Sequence, residues 1–194
     1  MTVFGNLGGG DQVDAALLKA LTDWMPTYLK AVAEDRGIDT LEKPRSVVAV
    51  SEFARFPEAQ LPAIVVENGG TAAPVGKPGG YDAKWPIRIC VEVMADTEVN
   101  ARRNAQLYLV AARECLLRER SLGHGFKGTD WGGERYDDVA DAEKRRSKAG
   151  ASATFTIERE RVAQIGGGPE QPDDDPYSEY PEVDTANVVV HKDN

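Results

Sequence analysis

The chain has 194 residues and a mass of 21.1 kDa, a length typical of one domain with a terminal extension. Hydrophobic residues make up 41% of it and charged residues 28%, as in an ordinary soluble globular protein, and no apolar run approaches the ~18 residues that a membrane-spanning helix needs. These features exclude a membrane protein. The segment after Thr2 is rich in glycine and acidic, unlike a secretory signal, so the protein is expected to be made in the cytoplasm and not exported.

The negative charge is concentrated at the C-terminus. Residues 166–194 contain eight acidic residues and one lysine, and so carry −7 of the net charge of −9. The nearly neutral remainder lacks the basic excess with which nucleic-acid-binding domains neutralise phosphates, so sequence-specific nucleic-acid binding is not expected. The segment also contains a glycine run and several prolines, a composition that cannot offset its ordering entropy by burying apolar surface. We predict a body of residues 1–165 and a flexible acidic extension of residues 166–194.

Residues typical of catalytic or metal sites are scarce. Cys90 and Cys115 are too few for a disulfide framework and lack metal-ligand spacing, so both are expected to be reduced and buried. His124 lies between glycines and His191 lies in the acidic extension, which leaves no base for nucleophilic catalysis. The glycine-rich segment at residues 5–10 lacks the Gly-Lys-Ser/Thr ending of a phosphate-binding loop. The sequence predicts neither an enzyme nor a bound cofactor or metal ion.

The first predicted element is a helix. Apolar residues recur at intervals of three and four from Val13 to Val32, which is the period of an amphipathic helix. Asp11 is the predicted N-cap and Gly37 the predicted end. Pro26, inside the pattern, predicts a kink or a break.

Strands are predicted next. The β-branched runs at residues 46–50 and 63–67 each predict a strand. Residues 69–80 contain so many glycines and prolines that a long exposed loop is expected. Residues 87–94 alternate between apolar and mostly polar side chains, the pattern of a half-buried strand.

A second helix is predicted from Asp96 or Thr97 to about Arg120. Its middle is apolar almost all the way round, so it needs cover from the sheet and also from the first helix or a neighbouring subunit. Residues 126–136 predict a turn-rich stretch with one short strand, and the alternation at residues 151–157 predicts a closing strand that continues to Val162. The order of elements predicts an α+β fold, with a mostly antiparallel sheet of four to five strands and both helices on one face.

Basic residues cluster at two places. Arg102 and Arg103 lie in the first turns of the second helix, and a basic run precedes the last strand, formed by Lys144, Arg145, Arg146 and Lys148. One interpretation is an ordinary solvated surface. The other is that these cations, and the arginines above all, meet acidic groups on a partner, including the acidic extension of a neighbouring copy.

The body, over residues 11–163, resembles the tail terminator (tail completion) proteins of long-tailed bacteriophages. The resemblance lies in the order of the helices, strands and loops and in their general residue pattern. It is carried by the opening helix (13–32), the strands at 61–67 and 81–93 with the glycine- and proline-rich loop between them, the helix at 101–117, the turn Trp131-Gly132-Gly133-Glu134-Arg135-Tyr136, and the last strand. The sequence departs from compact members of the family in its long segment at residues 37–60 and in its acidic extension.

The resemblance implies a structural protein of the virion tail or neck. Such proteins form a homohexameric ring that caps the tail tube, stops its polymerisation and presents a docking surface to the head-completion protein. The implied partners are therefore further copies of this chain, the tail tube protein and a neck protein. The loop at residues 69–80, with Gly76, Lys77, Gly79 and Gly80, becomes the expected ring-facing or tube-facing contact.

Two other functions are compatible with the sequence. Another neck component, such as a head-tail connector or head-closure protein, shares part of this layout. A small enzyme with an unrecognised site is the alternative from a different class, although the sequence shows no nucleophile elbow, metal cluster or phosphate loop.

Overall fold

The computed structural model describes residues 9–39, 41–50, 56–78, 80–118, 122, 126–137, 140–142 and 146–164. In this part of the chain the elements are, in order, α1 (Gly10–Asp35), β1 (Ser46–Val50), a short 3-10 helix (Glu58–Gln60), β2 (Ala63–Asn68), β3 (Ala72–Lys77), β4 (Gly80–Ala95), α2 (Glu98–Arg118), β5 (Phe126–Tyr136), β6 (Ala140–Ala142) and β7 (Arg146–Gln164).

The described strands form one mixed sheet in the order β1-β2-β4-β7-β5, with β3 paired to β4 and β6 paired to β7. The pair β1–β2 is parallel and the other described pairs are antiparallel. The predicted α+β class with a mostly antiparallel sheet is confirmed. The described sheet has seven strands where four to five were expected. The predicted loop pairs at residues 72–77 as β3, the turn-rich stretch pairs as β5, and the short strand β6 was not predicted.

Both helices pack on one face of the sheet, as predicted. The odd-numbered residues of β4, such as Ile89 and Val91, are buried on this face together with the inner sides of α1 and α2. Opposite them on β7 stand small residues, with Ala153 beside Ile89 and Ala151 beside Val91. These short side chains leave room for α2 to approach the sheet. The all-round apolar middle of α2 is thus covered by the sheet and by α1 within a single chain.

Helix α1 runs unbroken through Pro26. Proline removes one backbone hydrogen bond, but the buried residues Met25 and Leu29 continue the apolar stripe on both sides of it and hold the helix to the core. The N-cap is Gly9, so the prediction of Asp11 as the cap was wrong. Asp11 lies in the first turn, where its negative charge interacts favourably with the helix dipole. Gly37 ends the helix as expected, with a positive φ of 63°.

The predicted loop at residues 69–80 is wrong over most of its length. Residues 72–77 form β3, which makes a hairpin with the start of β4, where Gly76 stands opposite Tyr81. The glycines and prolines of this segment weaken a strand in isolation, but pairing with the long, buried strand β4 supplies the hydrogen bonds that stabilise it.

The turn-rich prediction for residues 126–136 is also wrong, because this segment forms the single strand β5. Its glycines are accommodated at two register shifts against β7, one of them between Trp131 and Gly133. Gly133 has φ 128°, a backbone conformation that favours glycine, so the glycine marks an irregularity within the strand rather than its end.

The last strand is longer than predicted and begins at Arg146, so Arg146 and Lys148 lie within β7 and not before it. Lys144 and Arg145 lie outside the described residues, as does the acidic extension. Within the described ranges, neither helix has the length and apolar character needed to cross a bilayer.

Candidate functional site

The predicted contact residues occupy the two opposite ends of β4. Gly76, Lys77 and Gly80 lie at the hairpin where β4 begins. Arg103 and Arg146 lie beside its other end, near Ala95. Since a strand rises about 3.3 Å per residue, the 16 residues of β4 span about 50 Å along the strand, and the two groups lie towards its opposite ends. Gly79 and Arg145 lie outside the described residues.

A cleft of about 750 Å³ opens at the second end of β4. We call it the end cleft. It is formed by the last residues of β4, the first turns of α2 and the chain on either side of β1 and the 3-10 helix. Its polar lining consists of Glu42, Arg45, Glu58, Asp96, Asn100, Arg103, Asn104, Tyr108 and Arg146. The cleft brings together Arg103 and Arg146, which are far apart in the sequence.

Part of this lining is fixed by internal contacts. Arg45 Nη2 lies 3.3 Å from Glu42 Oε2, and the Tyr108 hydroxyl donates a hydrogen bond to the backbone carbonyl of Glu42. Burial raises the pKa of Tyr108, so its hydroxyl remains a donor at neutral pH. Asn100 Nδ2 donates to Asp96 Oδ1 at 2.9 Å, which lowers the pKa of Asp96 and keeps it ionised. These groups have their partners within the wall of the cleft.

Three arginines differ from this fixed set. The side chains of Arg102, Arg103 and Arg146 are exposed and form neither a hydrogen bond nor an ion pair with any other residue that the structure describes. Arg103 lines the end cleft together with Arg146, and it shares a neighbouring shallow depression with Arg102 and Val99, whose exposure is 75%. We call Arg102, Arg103 and Arg146 the arginine cluster. Solvated guanidinium groups beside an exposed valine form a surface suited to a partner that carries carboxylates.

The hairpin at the other end of β4 is held to the neighbouring strands by ion pairs. Lys77 forms an ion pair with Asp82, and Lys127 Nζ lies 3.2 Å from Asp82 Oδ2 and 3.0 Å from Glu160 Oε1. These pairs join β3, β4, β5 and β7 across the sheet. Val75, 52% exposed, and Tyr81, 41% exposed, remain open on the hairpin and provide apolar surface for a partner.

Sequence reasoning missed an aromatic patch beside α2. Trp131 and Tyr136 of β5 are 47% and 40% exposed. The Arg113 guanidinium lies 4.9 Å from the centre of the Trp131 ring, and Arg113 Nη1 lies 2.8 Å from Glu134 Oε1. Tryptophan, tyrosine and arginine are the residues that most often dominate binding energy at interfaces. The aromatics among glycines at residues 126–136 were visible in the sequence, but they were assigned to a turn and not to one face of a strand.

Both cysteines are buried, as expected. Burial raises the pKa of the Cys90 thiol to about 12, so the thiolate that a nucleophile or metal ligand requires is not formed near neutral pH. No group of three histidine, cysteine or acidic residues suited to a metal ion occurs among the residues described.

The burial of Cys90 gives a testable result. In the folded protein the thiol should resist a disulfide reagent from pH 7 to 9, and it should react at once in denaturant, as measured by the absorbance of the released thiolate. Because the unfolded thiol ionises near pH 9 and the folded one near 12, this residue should make the protein less stable as pH rises above about 9. Rapid labelling of residue 90 in the native state, located by peptide mass spectrometry, would contradict the assignment.

No family model matches the chain, and no curated protein matches it. The fold is similar to that of a chain in a solved structure of the "Virion of native gene transfer agent (GTA) particle", with a TM-score of 0.40 and 19% identity. The match covers 73% of this chain and 95% of that chain. At this identity and TM-score, the likeness does not assign a function to the chain.

Proposed function

We propose that this protein is a structural component of a phage-like virion, and specifically a tail terminator. In this role, copies of the chain form a ring, in the family a hexamer, on the end of the tail tube. The ring stops tube polymerisation and offers its other side to a neck protein. The protein would then be a building block of the virion and not an enzyme.

One observation supports this role above the others: two candidate contact surfaces lie at opposite ends of one continuous strand. The hairpin of β3 and β4 and the arginine cluster lie towards opposite ends of β4, whose 16 residues span about 50 Å. Strand β4 is paired with β7 from Gly80 to Ala95, so the two surfaces are held apart by a stiff two-stranded core with helices packed on it. A protein that joins two different partners needs such a fixed separation.

The chemistry of the two surfaces differs, which suits two different partners. The hairpin offers exposed Val75 and Tyr81 next to an internally neutralised ion network. The other end offers the arginine cluster, whose charges have no partner within the described residues. An apolar contact and a carboxylate-binding contact discriminate between partners by opposite means, namely burial of apolar surface and charge pairing.

Deleting the gene from a phage or particle lineage that carries it tests the proposal. Electron microscopy should show tails of excessive and variable length, because nothing stops polymerisation of the tube. Tails of normal length that fail to join heads would instead identify the protein as a head-tail connector or head-closure protein. Normal, complete particles would overturn a structural role in the neck or tail.

The purified protein offers a second test. Light scattering should give a mass several times 21.1 kDa, and negative-stain images should show rings that bind tube ends. Val75→Asp, on the exposed hairpin, should weaken binding either to the tube or to the neck protein. Trp24→Asp, which changes an exposed residue on α1, serves as a control. A strictly monomeric protein that never binds tube ends would contradict the proposal.

A further inference from the structure

We propose that neighbouring copies of this chain meet along opposite edges of the sheet, where Trp131 of one copy enters a cleft beside β1 of the next. The proposal rests on the ring of the proposed function, in which the two ends of β4 face other partners. It identifies the surfaces that join the copies to each other.

The edges of the sheet are the surfaces left for a neighbour in such a ring. β1 and β5 are the outermost strands of the described sheet, and no other described strand pairs with their outer sides. The backbone groups along an outer strand can bind another chain. Each copy in a ring contacts its two neighbours with two different surfaces, and two unlike edges provide them.

The two edges lie at the same height along β4. The row of paired residues that begins at Val50 of β1 ends at Gly133 of β5, and the next row runs from Asn68 at the end of β2 to Trp131. With the tube and the neck at the two ends of β4, the ring axis runs along this strand. Copies in a closed ring are related by rotation without a rise, so surfaces at equal height on opposite edges meet.

A cleft of about 420 Å³ opens at this height on the β1 edge. We call it the side cleft. It lies between the start of α1 and the ends of β1 and β2, and its described lining includes Gly10, Asp11, Asp14, Ala49, Val50 and Trp85. Asn68, which shares the row of Trp131, also lines the cleft and donates a hydrogen bond of 2.8 Å to Asp14. The lining is apolar on the β1 side and acidic on the helix side.

The wall of the side cleft contains a hydrogen-bond donor without an acceptor. Trp85 is 1% exposed, and its indole Nε1–H has no partner among the described residues. A Cβ placed on Gly10 would lie 3.9 Å from this nitrogen, so the donor lies just behind the first residue of α1. A buried donor that stays unpaired costs free energy, and the carbonyl oxygens on the outer side of β5 are acceptors that a neighbouring copy brings to the cleft.

The aromatic patch on the β5 edge provides the side chain that enters the cleft. Trp131 is 47% exposed, and the guanidinium of Arg113 lies over its ring. Arg113 already pairs with Glu114 and Glu134, so the attraction between its charge and Asp11 contributes little. The contact therefore depends mainly on burial of the indole, which is the usual source of binding energy where a tryptophan lies at the centre of an interface.

Photo-cross-linking of the full chain tests the contact directly. A benzophenone amino acid in place of Trp131 keeps an aromatic side chain there and, on illumination, bonds to the residues around it. Mixing copies labelled with ¹⁴N and ¹⁵N distinguishes links between chains from links within one chain. We expect links from position 131 to residues 9–14 or 49–50 of another copy. The same amino acid in place of Trp24, which is also 47% exposed but lies on α1, is the matched control and should give none of these links.

Substitutions on both sides of the contact measure its strength. Trp131→Ala should raise the dissociation constant of self-association about thirtyfold, which corresponds to about 2 kcal/mol. Gly10→Leu should weaken association similarly, because the new side chain occupies the side cleft. The nearest atom to a Cβ at position 10 is 3.4 Å away, so the fold should be retained, as circular dichroism can verify. Trp24→Ala should leave the dissociation constant unchanged.

Links confined to a single chain, links from position 131 to β5 of another copy, or equal weakening by Trp24→Ala would each overturn the contact. Rings that bind tube ends without the expected links would overturn it and leave the tail role intact. The expected links in a protein whose gene deletion leaves normal, complete particles would support the contact and contradict the tail role.

Discussion

Replacing Ile89 by aspartate is expected to unfold the protein. Ile89 lies in the middle of β4, between Val66 of β2 and Ala153 of β7, and it is completely buried against the helices. The new carboxylate would have no cation within the apolar core, and the effective cost of burying an unpaired charge is several kcal/mol. The whole stability of a domain is about 5–15 kcal/mol, so the loss is comparable to the total. Circular dichroism should show no cooperative thermal transition.

Val75→Asp is the matched control for this experiment. Val75, like Ile89, is a β-branched residue in a strand. It is 52% exposed on the hairpin, however, so an aspartate there remains in contact with water. This variant should melt within a few degrees of the original protein, because surface substitutions usually change stability by less than about 0.5 kcal/mol. If Ile89→Asp melted as cooperatively and at the same temperature as this control, the assignment of the core would be wrong.

Removing the charge of Lys148 should cause the second large loss of stability. Lys148 of β7 forms an ion pair with Glu92 of β4, whose side chain is only 5% exposed. Glu92 lies on the sheet face opposite to the helices, where its Oε2 also accepts a long hydrogen bond of 3.5 Å from the backbone amide of Phe56. In Lys148→Met the carboxylate would stay buried without its cation, and removing one partner of a buried pair costs about 3–5 kcal/mol. Urea unfolding should show this loss as a lower midpoint with an unchanged slope.

A second substitution separates the charge from the packing. In the double variant Glu92→Leu, Lys148→Met both charges are gone, and most of the lost stability should return, because replacing a buried ion pair by apolar residues is often neutral or stabilising. Glu92→Leu alone should cost less than Lys148→Met alone, since the Lys148 side chain is 26% exposed and its ammonium group can turn to solvent. Additive effects of the two single changes would mean that the pair is not coupled.

The functional surfaces were only partly predictable. The sequence identified Arg102, Arg103 and Arg146 as candidate contacts, and it identified the glycine-rich segment with Lys77, but it did not indicate how they are arranged in the fold. Their separation follows from the length of β4. The alternating pattern from which this strand was predicted begins at Ile87, whereas the strand itself begins seven residues earlier, at Gly80. The early part of β4 contains glycine, aspartate and proline, so local propensity hides it, and pairing with β3 and β7 makes it a strand.

The two helices, the central strand and the α+β class could be predicted from local patterns in the amino-acid sequence. Each of these depends on a period of apolar residues that is visible within one segment, and burial on one face of the sheet preserves that period. Local patterns did not reveal that residues 72–77 and 126–136 are strands or that Glu92 pairs with Lys148. Nor did they reveal that Arg103 and Arg146 line the same cleft. These features depend on strand partners and on register between residues distant in the chain, and a side-chain pattern read along one segment contains no information about either.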